Sequence, residues 1–338
     1  MSDRKKVLRI VRGFRLRPLR IIPIKKGVYR VVLRKGRKYS LKRMPVTAKR
    51  LRWMDRSLRC VRRHGFTRIA WRNPQAKAGR RLFVKKRSGG APYVLVPWIN
   101  GRWPSVHSRR HMRACGAALA RFHQAGRPDR LKRRGAVNKV GQWPEELRAR
   151  HSLIAKMVRR ASRKKNKLSM DRSLSKHGEE ILGFSNQARK LLRERGYRKI
   201  CRTGSHLTCL CHGDGGPSNF IINSRGTHLI DFETLRIDLR AYDLYRVIYN
   251  SCKDHSWKFS IARNILNGYQ TVTKLTEEDF AMLSTLLRFP RTTYLLLNRY
   301  RRSNRRVKKL IAKQFYRTLS AERKIAAFLK KLDRYSKR

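Results

Sequence analysis

Acidic residues are scarce in this 338-residue sequence, which has 20 Asp and Glu against 87 Lys and Arg and a formal net charge of +67. The imbalance excludes an acidic or neutral enzyme surface. Val, Ile, Leu and Phe still make up about a quarter of the chain, above the range in which high net charge prevents a core from forming. We therefore expect most of the chain to fold, in roughly two domains or lobes.

Long apolar segments are also missing. The longest uninterrupted runs, such as residues 93–99, fall far short of the about 20 residues that a membrane span needs. Residues 1–12 are basic and lack the apolar core of a signal peptide. The sequence therefore predicts no membrane span and a cytoplasmic protein.

Cysteine is too rare and too scattered for a disulfide framework, with six residues in the whole chain. The only cluster, Cys209-Leu210-Cys211-His212, lacks the Cys-x-x-Cys spacing and the second pair that zinc sites use. Reduced thiols buried in a strand explain this cluster better than a metal site does.

The positive charge predicts nonspecific binding to polyanions. Basic blocks at residues 159–167, 301–309 and 330–338 would attract phosphates whatever the sequence of the ligand. The excess is spread over the whole chain, without a zinc finger, an RNP-type aromatic motif or a basic zipper. A uniformly cationic surface is thus favoured over a dedicated nucleic-acid site, an alternative that rests on charge alone.

The first hundred residues predict a small sheet with one helix. Residues 29–33 and 38–42 form a hairpin pattern, and Thr47 begins a helical pattern that Gly65 ends. Two further strands are predicted at residues 81–85 and 93–98, joined by a turn at residues 88–92.

After residue 101 the pattern becomes mainly helical. Helices are predicted at residues 111–125, 145–160, 179–195, 257–269, 277–288 and 305–332. A short β-rich interruption at residues 207–211, 220–223 and 227–232 carries almost all of the residues suited to chemistry.

Within that interruption, Asp214 is followed five residues later by Asn219, and then by Asp231 before Phe232. Phosphoryl transfer needs this arrangement, in which one carboxylate accepts the proton of an attacking hydroxyl. The amide and the second carboxylate can hold magnesium, which prefers oxygen ligands and keeps several waters. Residues 214–219 alone could be a polar turn, but the flanking apolar strands favour a site.

Eight short motifs resemble the aminoglycoside phosphotransferase and choline kinase group, and within it the CotS family of spore coat kinase-like proteins. They are Tyr39-Ser40-Leu41-Lys42, His64-Gly65-Phe66, Val96-Pro97-Trp98-Ile99-Asn100-Gly101, Leu119-Ala120-Arg121-Phe122-His123, Cys211-His212-Gly213-Asp214, Leu229-Ile230-Asp231-Phe232, Tyr242-Asp243-Leu244 and Phe289-Pro290. The resemblance implies an α+β, bilobal protein kinase-like fold. A small β-rich N-lobe (residues 1–96), a hinge (residues 97–101) and a larger, mainly helical C-lobe (residues 102–338) are expected.

The same resemblance implies roles for individual residues, with ATP and Mg²⁺ as cofactors. Asp214 would be the catalytic base, and Asn219 and Asp231 the magnesium ligands. Lys42 would contact the nucleotide phosphates as a point charge, and backbone groups around Pro97 and Ile99 would face adenine. The acceptor would be a small hydroxylated molecule or a coat component.

Two supporting roles are predicted next to these. We expect Asp243, at the start of a helix, to brace the catalytic loop. His123 and His212 are expected to be structural, because a lone histidine is more often a satisfied core group than a catalyst.

The sequence departs from the kinase pattern in two places. The first helix contains no Glu to pair with Lys42; its only acid is Asp55, which either forms that pair or neutralises neighbouring arginines. The loop expected to cover the phosphates, at residues 25–29, has a single Gly. Two functions therefore remain open: an active O-phosphotransferase, or a weakly active or inactive coat protein whose cationic surface binds acidic partners.

Overall fold

The structure, a computed structural model, describes residues 3–85, 89–132 and 134–337. Its N-terminal part combines two helices with one antiparallel sheet of strand order β1-β2-β3-β4. In chain order the elements are α1 (Asp3–Gly13), β1 (Pro18–Lys25), β2 (Val28–Leu33), β3 (Lys38–Arg43), α2 (Ala48–Arg63) and β4 (Tyr93–Pro97).

The hairpin and the first predicted helix are confirmed. Strands β2 and β3 pair antiparallel, and Lys35 and Gly36 make the turn between them with positive φ angles of 62° and 70°. Helix α2 begins after Thr47, whose side-chain oxygen accepts the backbone N–H of Arg50 at 3.2 Å. The chain leaves the helix at Gly65, whose φ of 91° favours glycine.

Elements α1 and β1 lie where only a basic leader was expected. The apolar side chains Val7, Ile10 and Val11 of α1 recur at helical spacing and, with Phe14 just after the helix, are buried in a small core beneath the sheet. The strand predicted at residues 81–85 is wrong, since only Val84 bridges to Tyr93 there. The turn predicted at residues 88–92 falls partly outside the described residues.

The remainder of the chain is mostly helical. Its helices are α3 (Arg109–Ala125), α4 (Trp143–Arg163), α5 (Ser169–Glu194), α6 (Tyr197–Thr203), α7 (Arg240–Cys252), α8 (Phe259–Gln270), α9 (Glu277–Arg288), α10 (Arg291–Tyr300), α11 (Arg305–Arg323) and α12 (Ile325–Ser336). Four short strands form two antiparallel pairs, β5 (Thr208–Cys211) with β8 (Arg236–Leu239) and β6 (Phe220–Asn223) with β7 (Gly226–Leu229).

The single helix predicted over residues 305–332 is two helices, which meet at Lys324. The two segments pack against different neighbours: α11 contacts α10 and α5, whereas α12 contacts α9 and α8. A straight helix would not serve both sets of contacts.

One large core fills the helical part and extends into α2, whose buried face includes Leu51, Trp53 and Leu58. Helix α2 therefore shares its core with the helical part, whereas α1 and the sheet enclose a separate small core. Within the described residues, none of the helices is long and apolar enough to cross a bilayer.

Candidate active site

Three of the predicted site residues lie at the ends of the two short strand pairs. Asp214 follows β5, Asn219 directly precedes β6, and Asp231 follows β7 by two residues. The backbone N–H of Ile230 donates to the carbonyl oxygen of Asn219 at 3.0 Å, so the chain segments that carry Asn219 and Asp231 run side by side.

The loop after β5 depends on Gly213. This residue has a φ of 87°, and a Cβ atom built on it would lie 2.2 Å from the carbonyl oxygen of Thr234. The Thr234 hydroxyl also donates to the carbonyl of His212 at 2.9 Å. Only glycine fits this close approach between two loops of the site.

The buried carboxylate of Asp243 holds the same loop from its other side. It accepts the backbone N–H groups of His212 and Gly213 at 2.5 and 2.8 Å, and it contacts Nε2 of His123 at 3.1 Å. Burial alone would raise the pKa of Asp243, but the hydrogen bond and charge of His123, the charge of His212 and the backbone N–H of Gly213 together outweigh burial and lower it. The predictions that Asp243 braces the loop and that both histidines are buried structural groups are confirmed.

The cysteine cluster lies beside this brace. The sulfur atoms of Cys209 and Cys211 are 3.6 Å apart, and a ring nitrogen of His123 lies within 4.8 Å of both. Both ring nitrogens of His123 already have partners, Asp243 at Nε2 and the Tyr269 hydroxyl at Nδ1 at 2.9 Å. Buried, reduced strand cysteines therefore account for the cluster.

The carboxylate of Asp214 is about half exposed, and one of its oxygens accepts a hydrogen bond from Arg246 on α7. The Arg246 side chain is buried. Burial acts to lower the pKa of Arg246, but Tyr242, Tyr245 and the Asp214 carboxylate together raise it, so the guanidinium keeps its charge.

Lys42 on β3 forms an ion pair with Asp231, one of the two predicted metal ligands. Its Nζ lies 2.5 Å from Oδ1 of Asp231 and 2.8 Å from Oε1 of Glu233. Asp231 adopts a left-handed backbone with a φ of 68°, an uncommon conformation that tends to occur at functional sites.

The predicted pair between Lys42 and Asp55 is wrong. The Asp55 carboxylate is buried in α2 and is bound by Arg72, whose Nε and Nη2 lie 2.7 and 2.5 Å from its two oxygens. The indole N–H of Trp71 also donates to it at 3.0 Å. Asp55 thus neutralises a neighbouring arginine, the alternative left open above, and the carboxylate beside Lys42 comes from Glu233.

The donor set of the site suits a hard divalent cation. The Asn219 amide group donates to the carbonyl of Asp214 at 2.7 Å, which fixes the amide plane, and within the described residues its side-chain oxygen has no hydrogen-bond donor. With the Asp231 carboxylate it offers the oxygen ligands that Mg²⁺ prefers. The structure therefore brings Asp214, Asn219, Asp231 and Lys42 together and leaves Asp55 apart.

The predicted hinge residues lie at the edge of the sheet. Pro97 ends β4 opposite Tyr39, and Ile99 belongs to the following link. That link then contacts the β6–β7 pair: Gly101 approaches the carbonyl of Ile222 on β6 so closely that a Cβ atom would lie 2.5 Å from it.

Two side chains of this site, Glu233 and Arg246, are not singled out by the sequence patterns. Glu233 lies two residues after Asp231 in the chain, and this closeness is the only local signal for it. Arg246 is one of two arginines in α7, a helix whose residues are nearly all buried. A basic residue in such a helix needs an acidic partner, which is the signal that could have found it.

Comparison with known proteins places the chain in a family. The pattern of the phosphotransferase enzyme family matches residues 22–278. Homoserine kinase of Chelativorans sp. (strain BNC1) is 29% identical over 217 residues, which cover 62% of this chain and 58% of that protein. Homoserine kinase of Rhodospirillum rubrum is 28% identical over 230 residues, or 67% and 63% of the two chains. The chain thus spans about three fifths of the length of these relatives.

Solved structures show the same fold over nearly the whole chain. An aminoglycoside phosphotransferase from Alicyclobacillus acidocaldarius superposes with a TM-score of 0.76 at 21% identity, covering 97% of this chain and 96% of that one. Spectinomycin phosphotransferase in complex with ADP and spectinomycin gives 0.71 at 13% identity, with 96% and 98% covered. The predicted α+β, bilobal kinase-like fold is confirmed, and the chain belongs to the phosphotransferase enzyme family.

Proposed function

We propose that the protein is an ATP- and Mg²⁺-dependent O-phosphotransferase that phosphorylates a small hydroxylated molecule. The observation that carries this proposal is the convergence of Asp214, Asn219, Asp231 and Lys42 in one place on a fold shared with phosphotransferases. The four residues come from segments up to 189 positions apart, so local sequence composition does not account for their meeting.

Asp214 is the catalytic base in this proposal. Its carboxylate is accessible to an acceptor, and Arg246 occupies only one oxygen, which leaves the other free to accept the hydroxyl proton. Arg246 is a positioning residue, because it fixes the direction of the carboxylate without needing to touch the acceptor.

Asn219 and Asp231 hold the metal, and Lys42 contacts the nucleotide phosphates. Bound magnesium would neutralise charge that develops on the transferred phosphoryl group. Glu233 takes the part of the missing helix Glu, because its carboxylate keeps the Lys42 ammonium at the site at 2.8 Å. Among similar structures, spectinomycin phosphotransferase was solved with ADP, and an amicoumacin kinase was solved with AMP-PNP and Ca²⁺. These complexes support a nucleotide and a divalent ion here.

We further propose that residues 1–96 and 102–338 are the two lobes and residues 97–101 their hinge, with backbone groups at Pro97 and Ile99 facing adenine. The extended backbone there, where the N–H of Trp98 donates to the carbonyl of Lys38 at 3.2 Å, keeps the link beside the sheet. The turn at Gly27 has only one glycine to approach phosphates, and we expect correspondingly weak nucleotide binding.

The acceptor is proposed from chemistry and from the relatives. Homoserine kinases and antibiotic phosphotransferases are named for small molecules that carry hydroxyl groups. The cationic surface, with 87 Lys and Arg in the chain, favours an acidic acceptor over a cationic one. The resemblance to the CotS family leads us to propose a spore coat association in addition, with the cytoplasm as the place of synthesis.

ADP release in the presence of Mg-ATP and a panel of acidic and cationic hydroxyl compounds tests the proposal. We expect acceptor-dependent turnover that Asp214→Asn lowers by about a hundredfold or more. Asp254→Asn, an exposed acid paired with Lys253, is the matched control and should keep full activity. Turnover that survives Asp214→Asn would contradict the proposed base.

The coat scaffold remains the second candidate function. It is favoured by the position of Asp55, which is bound to Arg72 rather than to Lys42, and by the single glycine near residue 27. Absence of ADP release with every acceptor, together with a melting temperature in ATP that Mg²⁺ does not raise further, would favour the scaffold over the enzyme.

A further inference from the structure

Outside the active site, one face of α2 borders a cavity whose lining, among the described residues, consists only of cations. Three of the five side chains project from α2, and two come from the segment after α3. They are Lys49, Arg52, Arg56, Lys132 and Arg134, around a volume of about 550 Å³, and we call this space the α2 cavity.

The walls of the α2 cavity are held by specific contacts. The indole N–H of Trp53 donates to the carbonyl of Lys132 at 3.0 Å, and Arg56 donates to the carbonyl of Arg134 at 3.0 Å. Gly135 has a φ of 88°, and its Cβ would lie 3.0 Å from the carbonyl of Lys49, so segment and helix touch. These contacts hold the two backbone segments that carry the five side chains next to each other.

The charge of these side chains is not compensated by the protein. Within the described residues, none of the five lining side chains forms an ion pair with a carboxylate. The only acid of α2, Asp55, is buried and bound by Arg72. Two of the cations, Lys49 and Arg52, also stand in or next to the first turn of α2, where the helix dipole adds positive potential. An anion in the cavity would relieve this repulsion.

The volume of the α2 cavity and a second cavity beside it restrict the kind of ligand that could bind. A volume of about 550 Å³ is in the range of small-molecule sites. A second, smaller cavity of about 190 Å³ shares Arg56 and Lys132 with the first and adds Arg59, Arg63 and Arg130 to its lining. Densely charged phosphate groups match both the cation density and the compact shape, because guanidinium and ammonium groups bind phosphate oxygens with charge-assisted hydrogen bonds.

We propose that the α2 cavity is a binding site for a compact anion that carries several phosphate groups, distinct from the site at Lys42 and Asp231. This binding goes beyond the proposed phosphotransfer and does not depend on it. The lining side chains form no ion pair or hydrogen bond with Asp214, Asn219 or Asp231 among the described residues, so the two sites can be tested separately.

Titration calorimetry of the full chain with inorganic tripolyphosphate, at physiological salt and without divalent metal, tests the proposal. We expect one tight site per chain. The triple variant Lys49→Gln, Arg52→Gln and Lys132→Gln should weaken this site by at least about tenfold, since each lost charge-assisted contact alone is worth about that factor.

The matched control is a triple variant that removes three exposed cations from α11, namely Arg305→Gln, Arg306→Gln and Lys309→Gln. It has the same net charge and should leave the tight site within about twofold. Equal weakening in both triple variants would overturn the proposal, because nonspecific attraction to the whole surface would then explain binding.

Two further arms complete the test. Arg52→Gln alone should weaken tripolyphosphate binding by several-fold, and this single variant replaces the triple variant if the latter folds poorly. An unchanged affinity in Arg52→Gln would overturn the proposal. A single-stranded oligonucleotide that binds the α2 cavity more tightly than tripolyphosphate would also overturn it, in favour of nucleic acid. Asp231→Asn should leave the tripolyphosphate site intact, so failure here and failure of the proposed phosphotransfer are distinguishable.

Discussion

Replacing Asp243 by Asn tests the contacts that hold the loop of Asp214, the proposed catalytic base. The carboxylate is fully buried, and its two oxygens accept the backbone N–H groups of His212 and Gly213 and contact His123. Asn has nearly the same shape but only one acceptor oxygen. In either orientation, its NH₂ group must face at least one backbone N–H donor, and His123 loses its anionic partner.

The expected loss is about 3–5 kcal/mol in the free energy of unfolding, the cost of removing one partner from a buried charged pair. A domain stable by about 5–15 kcal/mol would still fold in most of that range. Urea unfolding at pH 7 measures the change, and this pH lies above the pKa of Asp243, which His123 lowers. ADP release should also fall by about a hundredfold, since small displacements of a catalytic loop are costly.

Asp254→Asn is the control for stability as well. Its carboxylate is 70% exposed, so its replacement should change the free energy of unfolding by less than about 0.5 kcal/mol. If Asp243→Asn cost no more than this control, the brace would be energetically irrelevant and the reasoning refuted.

Two further changes probe the backbone of the loop and a buried acid elsewhere. Gly213→Ala should destabilise the protein by about 2 kcal/mol or more and abolish ADP release, because it adds a clash with Thr234 to the strain of a positive φ. Gly36→Ala, with a φ of 70° and open space, should cost only about 1 kcal/mol; equal losses in urea unfolding would contradict the clash. The Glu322 carboxylate accepts hydrogen bonds from the hydroxyl and the backbone N–H of Thr293. Burial raises the pKa of Glu322 from 4.5 to about 7. The folded chain therefore keeps a proton that the unfolded chain releases, and stability should fall as pH rises from about 4.5 to about 7. In Glu322→Gln the free energy of unfolding should fall by about 3 kcal/mol less over this pH range. Urea midpoints that change equally with pH in both proteins would contradict this expectation.

Sequence patterns predicted the elements that are set by residues close together in the chain, such as strands joined by a tight turn and a capped helix. The hairpin needed only two strand patterns and a turn at Gly36, and α2 needed only a cap at Thr47 and a stop at Gly65. Helix α1 was missed because its dense positive charge obscures the apolar spacing of residues 7–14. Its stability comes from burial against the sheet, which no local pattern expresses.

In the candidate site too, the residues that are close in sequence were predicted, whereas a pairing between distant residues was not. Asp214 and Asn219 lie five residues apart, so their spacing carried the prediction. The neighbour of Lys42 is Glu233, 191 positions away along the chain, and the expected partner Asp55 is bound instead by Arg72. Pairings of this kind are set by how helices and strands pack, so the sequence could predict that Lys42 needs an acid but not which one.

The most direct test of the central claim is the melting temperature in ATP with Mg²⁺ compared with ATP and EDTA. We expect the cationic surface to attract ATP in both conditions, so only the difference between them reports the proposed metal site at Asn219 and Asp231. We expect Mg²⁺ to add a further rise of several degrees, which Asp231→Asn removes while the rise in ATP and EDTA persists. An equal rise with and without Mg²⁺, or a Mg²⁺-dependent rise that survives Asp231→Asn, would contradict the account.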